Sequence, residues 1–236
     1  MDTQIRIVIH GASGRMGQAL LRLAAERPDL QLVAAVSRKV ESRAIDGIAQ
    51  FASSELSGLP PFDVAIDFSL PEGFDGILSA CVERHAALVS GTTGLTPGQR
   101  EAIATATTRI PVLWAANFSL GVAVLNDLVE RAASALRGWD CDIVESHHVH
   151  KKDAPSGTAL ALGESAEQGG AQPRYASLRA GDIVGEHLVQ FTTLGERVEL
   201  VHRATSRDIF ARGALHAATR LAGRGPGQYQ LRDLLD

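Results

Sequence analysis

The sequence is poor in the features that mark several large classes of protein. It has only two cysteines, Cys81 and Cys141, each isolated among apolar neighbours. So sparse a supply excludes a disulfide framework and reads as buried, reduced thiols of a cytoplasmic protein. Positive charge is not in excess: 23 lysines and arginines stand against 27 acidic residues, which argues against a nucleic-acid footprint. No apolar run approaches the roughly twenty residues of a membrane span. The first residues, MDTQIRIVIHG, lack the basic stretch and long apolar segment of a signal peptide. Internal repeats and low-complexity tracts are missing too. What remains is an ordinary soluble composition, 45% hydrophobic and 21% charged, over 236 residues. That length supports one large domain or two small ones.

The first half alternates short apolar runs with amphipathic stretches. Ile5 to Ile9 reads as a strand, followed at once by Gly11, Gly14 and Gly17. A helical pattern runs from Arg15 to Glu26, with Met16, Ala19, Leu20 and Leu23 on one face, and Leu32 to Val36 is the next strand. This order of strand, glycine loop, helix and strand is the unit that binds dinucleotides, the pyrophosphate lying on the helix N-terminus. The spacing is GxxGxxG, because Ser13 stands where the stricter fingerprint has a glycine. Strands at Val64 to Phe68, Ala87 to Ser90 and Val112 to Ala115 then alternate with helices, while residues 40–62 read as a polar connection. Short apolar runs without alternation suit parallel strands covered on both faces. The fold class is therefore α/β, a Rossmann-type doubly wound parallel sheet. The carboxyl ends of its strands line the ligand crevice. Gly91, Thr92 and Thr93, with Ala115, Ala116, Asn117 and Phe118, are expected to frame the nicotinamide end of a cofactor.

At the end of the second strand, NAD-specific folds usually carry an acidic residue for the adenosine ribose. Here the sequence reads Ser37-Arg38-Lys39. A guanidinium can fork onto a 2′-phosphate that a carboxylate would repel, so the expectation leans to NADPH, with NADH still open.

The second half changes character. Leu120 to Leu136 is a long helix, and Cys141 to Glu145 a strand. Runs at Arg174 to Leu178, His187 to Thr193 and Arg197 to His202 alternate in the manner of antiparallel strands, with turns at Gly169-Gly170 and Gly195-Glu196. Ser206 is placed to cap a last helix. The expected division is a dinucleotide-binding domain of residues 1–117 plus 207–236 and a second, smaller mixed α/β domain of residues 118–206.

The stretch from Glu145 to Gly163, ESHHVHKKDAPSGTALALG, holds the densest chemistry. It gathers three histidines, two lysines and an aspartate ahead of a helix-like run that Ser156 can cap. Amides at a helix start attract an anion, imidazoles exchange protons near neutral pH, and lysines supply positive charge. Such a segment suits a small, multiply negative substrate that needs a proton. A metal site is disfavoured because two lysines follow directly and no Cys or carboxylate cluster joins the histidines. Asp153 reads as a turn former, and His150 as a solvent-facing or orienting residue.

With these motifs assembled, the chain resembles the 4-hydroxy-tetrahydrodipicolinate reductase family of bacterial diaminopimelate and lysine synthesis. GASGRMG, DFSLPEG, SGTTG, AANFSLGV, ESHHVHKKDAPSGTALALGE, RAGDIVGEH and GERVELVHRATSR occur in the family's order across nearly the whole chain. The resemblance implies a nucleotide-binding N-terminal domain, a substrate domain that also forms a homotetramer, and hydride delivery from NADPH or NADH to a cyclic dicarboxylate. It implies that His147 is the proton donor and Lys151 a second catalytic group and substrate ligand. His148, Ser156, Gly157 and Thr158 fall where the family holds the substrate carboxylates. Gly11, Ala12, Ser13, Gly14, Arg15, Met16 and Arg38 match its cofactor contacts, together with Gly91 to Thr93 and Ala115 to Phe118. Ser37 departs from the acidic residue of members that use NADH well, and the loops around 40–62 and 169–174 look trimmed. Two rival readings are another NAD(P)-dependent dehydrogenase that reduces an imine on a different dicarboxylate, and a nucleotide-sensing protein without turnover.

Overall fold

The computed structural model describes residues 4–235. Within it the chain forms two compact units: one runs up to Phe118 and resumes at Phe210, and the other is Ser119–Ile209.

The first unit opens with β1 (Ile5–His10), α1 (Arg15–Ala24) and β2 (Leu30–Ser37). Next come β3 (Ala44–Ile45), β4 (Ile48–Ala52), β5 (Val64–Asp67), α2 (Pro71–Arg84), β6 (Ala87–Ser90), α3 (Pro97–Ala106) and β7 (Pro111–Trp114). β1 lies between β2 and β5 and is parallel to both. Every residue of β5 and β6 is buried, as the short apolar runs require of strands covered on both sides. Local signals set the helix ends. α2 and α3 begin with Pro71 and Pro97, and Thr96 closes a capping box with Gln99 ahead of α3.

The second unit holds α4 (Leu120–Ala135), β8 (Asp140–His147), α5 (Gly157–Gln168), β9 (Pro173–Arg179), β10 (Gly185–Thr193) and β11 (Glu196–Ala204). Its sheet has the order β11-β10-β8-β9. One face packs on α4 and α5 through Leu125, Val129, Ile143, Leu162, Val189 and Phe191. β8 alternates strictly, burying Cys141, Ile143, Glu145 and His147 on that face. The apolar half of the stripe anchors the helices, and the ionisable half lies at the start of α5. On the opposite face, cross-strand register sets Val201, Leu188, Val144 and Ala176 in one apolar row across all four strands.

The chain then returns to the first unit through α6 (Asp208–Leu221) and β12 (Gly227–Tyr229). β12 pairs in parallel with β7, which completes an eight-stranded sheet of order β12-β7-β6-β5-β1-β2-β4-β3.

Three expectations need correction. Residues 40–62 are not merely a connection, because β4 adds to the sheet in parallel beside β2 and β3 folds back on it. β12, between glycine-rich residues and the C-terminal turn, went unread as a strand. β9 is parallel to β8 rather than antiparallel, because α5 carries the chain back over the sheet between them. A crossover helix between neighbouring strands dictates that direction.

Candidate active site

In the first unit, the glycine loop follows β1 and is shaped by close approach. Gly11 has φ +81°, and a Cβ there would collide with the carbonyl oxygen of Phe68. The amides of Gly11 and Ala12 both donate to the Val36 carbonyl, at 3.0 and 2.9 Å, which ties the loop to β2. A Cβ on Gly17 would overlap the Gly11 carbonyl, so α1 sits against the loop only because that residue is glycine. Gly14 is the N-cap of α1 and offers no side chain to its first-turn amides. A bare, glycine-lined helix start is the cradle that a pyrophosphate fills. Ser13, Gly14 and Arg15 are exposed, as are Arg38 and Lys39 beyond the buried Ser37.

Asp67, at the end of β5, is fully buried. It accepts hydrogen bonds from the hydroxyls of Ser90 and Thr92, both at 2.8 Å, and from the Ser69 amide at 3.2 Å. His10 Nδ1 stands 2.9 Å away, and its Nε2 is 3.3 Å from the Ser53 hydroxyl. Burial opposes ionisation of Asp67 most strongly, but His10, Ser69 and Thr92 outweigh it and hold the carboxyl below its ordinary range. The outcome is positional. Thr92 is fixed through its hydroxyl and, at its carbonyl, by the Trp114 indole N–H at 2.8 Å. Phe118 is buried edge-on to Phe68, with ring centroids 5.3 Å apart. Gly11–Met16, Gly91–Thr93 and Ala115–Phe118 follow the carboxyl ends of the parallel strands β1, β6 and β7, and Arg38 follows β2. Of these, Thr92 and Phe118 are committed to the framework, while Thr93 and Ala116 are exposed.

In the second unit, the structure assembles a site that sequence reasoning only partly saw. Glu145 is buried on β8, two residues before His147. Arg179, the last residue of β9, donates to both of its oxygens, at 2.8 and 2.9 Å. The Ser156 amide donates at 3.3 Å, and His147 Nδ1 lies 2.5 Å from Oε2. Burial again opposes the charge, but Arg179, Ser177 and His147 prevail and bring the Glu145 carboxyl down to about 2. The His147 pKa is lowered as well: burial lowers it most, Glu145 counteracts, and Lys151 and Arg179 push it lower still.

Two further histidines extend this polar patch across the sheet. His187 on β10 is buried edge-on to His147, with centroids 5.2 Å apart, and His202 on β11 follows at 6.4 Å. His187 Nε2 is 3.3 Å from the Ser156 hydroxyl, and His202 Nε2 is 3.3 Å from the Ser119 hydroxyl. Burial, with the neighbouring His147 and His202, drives the His187 pKa down to about 4.

Lys151 lies in the turn after β8, its Nζ 2.9 Å from Asp153 Oδ2. Arg179 also donates to the Asp153 carbonyl, which fastens this turn to β9. Asp153 is thus both turn former and ion-pair partner. Ser156 is buried as N-cap of α5, its hydroxyl accepting from the Ala159 amide at 3.2 Å. It shapes the helix start, whereas Gly157 is exposed and Thr158 and His148 are half-buried. His150 is exposed, with its ring 6.3 Å from that of His148. Glu145, Arg179, His187 and His202 escaped the sequence reading. Period-two alternation carried from Cys141 through His147 would have found the first of them.

Comparison with known proteins covers both halves of the chain. The family model described as dihydrodipicolinate reductase, N-terminus, matches residues 5–118, and the one described as dihydrodipicolinate reductase, C-terminus, matches residues 121–235. The chain is 72% identical over 236 residues to a 4-hydroxy-tetrahydrodipicolinate reductase of Stenotrophomonas maltophilia (strain R551-3), covering 99% of both. It is 67% identical over 232 residues to the enzyme of that name from Xanthomonas campestris pv. campestris (strain B100), covering 98% of both. Among solved structures it resembles a dipicolinate-bound dihydrodipicolinate reductase from Paenisporosarcina sp. TG-14, with TM-score 0.79 and 20% identity. That match covers 98% of this chain and 100% of the other. A C. glutamicum DAP dehydrogenase in complex with DAP has TM-score 0.63 at 16% identity, covering 99% and 96%. At those identities the two structures speak for the fold alone.

The histidine patch has a consequence for stability. His187 titrates at about 4 when folded, against an ordinary value of 6.5. Between those values the unfolded chain takes up a proton that the folded chain refuses. Stability should therefore be fully retained above pH 6.5 and decline as pH falls towards 4. Replacing His187 by Gln should remove up to about 3 kcal/mol of that decline. Urea unfolding at pH 7 and pH 4.5 measures it, and an unchanged difference between the two pH values would assign the decline to other groups.

Proposed function

The chain belongs to the dihydrodipicolinate reductase family, and from that premise we propose how its residues carry out the reaction. The protein reduces 4-hydroxy-tetrahydrodipicolinate to tetrahydrodipicolinate with NAD(P)H, a step of diaminopimelate and lysine biosynthesis. The observation that carries this reading is 72% identity to an enzyme of that name over 99% of both chains.

NAD(P)H supplies a hydride. Loss of the substrate's hydroxyl as water leaves an unsaturated ring, and hydride addition places negative charge on it that a nearby acid must quench. His147 is that acid, donating from Nε2 while Nδ1 stays with Glu145. Lys151 neutralises a substrate carboxylate. The start of α5, at Gly157 and Thr158, takes a carboxylate through its amides, with His148 alongside. The Asp153 carboxylate already beside Lys151 supports this: the lysine binds the same chemical group that the substrate presents. Ser156 caps α5 and stands with Gly157 and Thr158 at the helix start that meets the carboxylate.

The cofactor lies on the bare start of α1, with Gly11 to Met16 around its pyrophosphate. Gly91 to Thr93 and Ala115 to Phe118 form the frame of the nicotinamide end. NADPH is preferred, because exposed Arg38 and Lys39 follow a buried Ser37 where an acid would repel the 2′-phosphate. The protein works in the cytoplasm, a reducing compartment that suits the unpaired, buried Cys81 and Cys141. Among the described residues no helix is long and apolar enough to cross a membrane.

The assembly is a homotetramer built on the second unit. The apolar row of Val201, Leu188, Val144 and Ala176 lies on the sheet face away from α4 and α5, and Leu178 beside it is 57% exposed. Such a face on a four-stranded sheet is suited to burial against a second copy.

Four measurements test this reading. Purified protein should oxidise NADPH only when supplied with the condensation product of pyruvate and aspartate semialdehyde; oxidation without it, or none with it, would refute the assignment. Lys151→Ala should cut turnover by orders of magnitude with cofactor affinity nearly intact, and His147→Gln should cost roughly 10²- to 10⁴-fold. Equal loss of nucleotide binding would remove Lys151 from the substrate pocket. Arg38→Ala should weaken NADPH far more than NADH, and similar losses for both would end the 2′-phosphate assignment. Leu188→Glu should lower the mass seen by light scattering to that of a smaller species; an unchanged tetramer would place the interface elsewhere.

A further inference from the structure

A histidine that donates a proton must hold it on the correct nitrogen, and the structure shows what could enforce that choice. His147 Nδ1 is engaged by Glu145, and Nε2 makes no hydrogen bond among the described residues. The strand opposite leaves that edge uncovered, since Gly185 has no side chain and a Cβ there would stand 3.0 Å from Nε2. Glu145 itself cannot swing away. It is 1% exposed, and both of its oxygens are held by Arg179, with the Ser156 amide on Oε1.

We propose that Glu145, clamped by Arg179, is a positioning residue that keeps His147 with Nδ1 protonated and stabilises the imidazolium from which Nε2 gives up its proton. The inference rests on the reading of His147 as proton donor. The step balances: the N–H bond at Nε2 breaks, the proton passes to the reduced ring, and the neutral Nδ1–H tautomer that remains is the one Glu145 holds. Glu145 stays ionised throughout, as the third group does in other acid–base constellations. The groups that face His147 are Glu145 on β8, Arg179 on β9, Lys151 in the following turn and His187 on β10. His202 lies one strand further, and α5 presents only the uncharged Ser156.

The charges of Glu145 and Arg179 act on His147 with opposite signs, which supplies the test. In Glu145→Gln the imidazolium loses its carboxylate, and the His147 pKa should fall by about one unit or more. In Arg179→Gln a repelling cation is gone, and the same pKa should rise. Titration of isotope-labelled histidine by NMR reads both shifts, with His147→Gln identifying the resonance. The kcat–pH profile should follow, its high-pH limb moving down in the first variant and up in the second, with cofactor binding unchanged. Glu145→Asp keeps the charge and should return the limb towards its wild-type position. A loss of kcat in which the limb stays put would show Glu145 to be merely structural, and a wild-type His147 titration in Glu145→Gln would overturn the proposal. If Glu145→Gln does not fold, Arg179→Gln alone decides: an unshifted His147 overturns it. Because the titration needs no turnover, signed shifts in a protein without reductase activity would refute the proposed function and leave the Glu145–His147 coupling standing.

Discussion

Each unit is built around a carboxylate taken out of water. Asp67 and Glu145 are 0% and 1% exposed, and each lies at or near the carboxyl end of a strand. An ionised carboxylate cannot stay buried unless donors surround it, since removing it from water costs several kcal/mol. The donors come from the surrounding loops and strand ends. For Asp67 they are Ser69, Ser90, Thr92 and His10; for Glu145 they are Arg179, the Ser156 amide and His147. The requirement to satisfy one buried charge thus sets the position of the segments proposed to bear function. Breaking one partner leaves an uncompensated charge, so these loops are held by more than their own turn chemistry.

The same reasoning explains the gradient along the second sheet. One face changes from Phe191, Val189 and Ile143 to Glu145, His147 and His187 as the strands approach the start of α5. The apolar end supplies packing that holds the helix over the sheet. At the polar end, burial lowers the affinity of His187 and His202 for protons. Neutral imidazoles there avoid adding cations to Lys151 and Arg179. Of these three histidines, His147 is the one in direct hydrogen-bonding contact with a carboxylate, which favours its charged form.

Much of this was legible in the sequence where a local rule is strong. Glycines at 11, 14 and 17 between an apolar run and a helical pattern announced the dinucleotide unit, and Ser156 before α5 announced a cap. Elements without a local signature were not. β4, with every residue half-buried, and β12, three residues long, acquire strand character from pairing with β2 and β7 rather than from their own composition. The direction of β9 depends on where α5 delivers the chain. Glu145 was quoted as the start of a motif, yet its role depends on Arg179, thirty-four residues away. Ser156, expected among the residues that hold substrate, was recognised by type, but its burial shows only in three dimensions.

In the proposed reaction the two helix starts would meet two kinds of anion with one physical device. α1 begins at Gly14 with no side chain over its first amides, and the glycines behind it let the backbone draw close. That leaves the helix start open to a group as large and as highly charged as a pyrophosphate. α5 begins at Ser156, whose hydroxyl satisfies the Ala159 amide, so the helix offers less to an incoming anion. A carboxylate carries less charge and is smaller. In the proposed site Lys151 makes up the deficit, held beside Asp153 in the turn that Arg179 fastens through the Asp153 carbonyl. There, a capped helix beside a lysine that already holds a carboxylate favours a ligand able to replace that of Asp153, a selectivity that an open helix lacks.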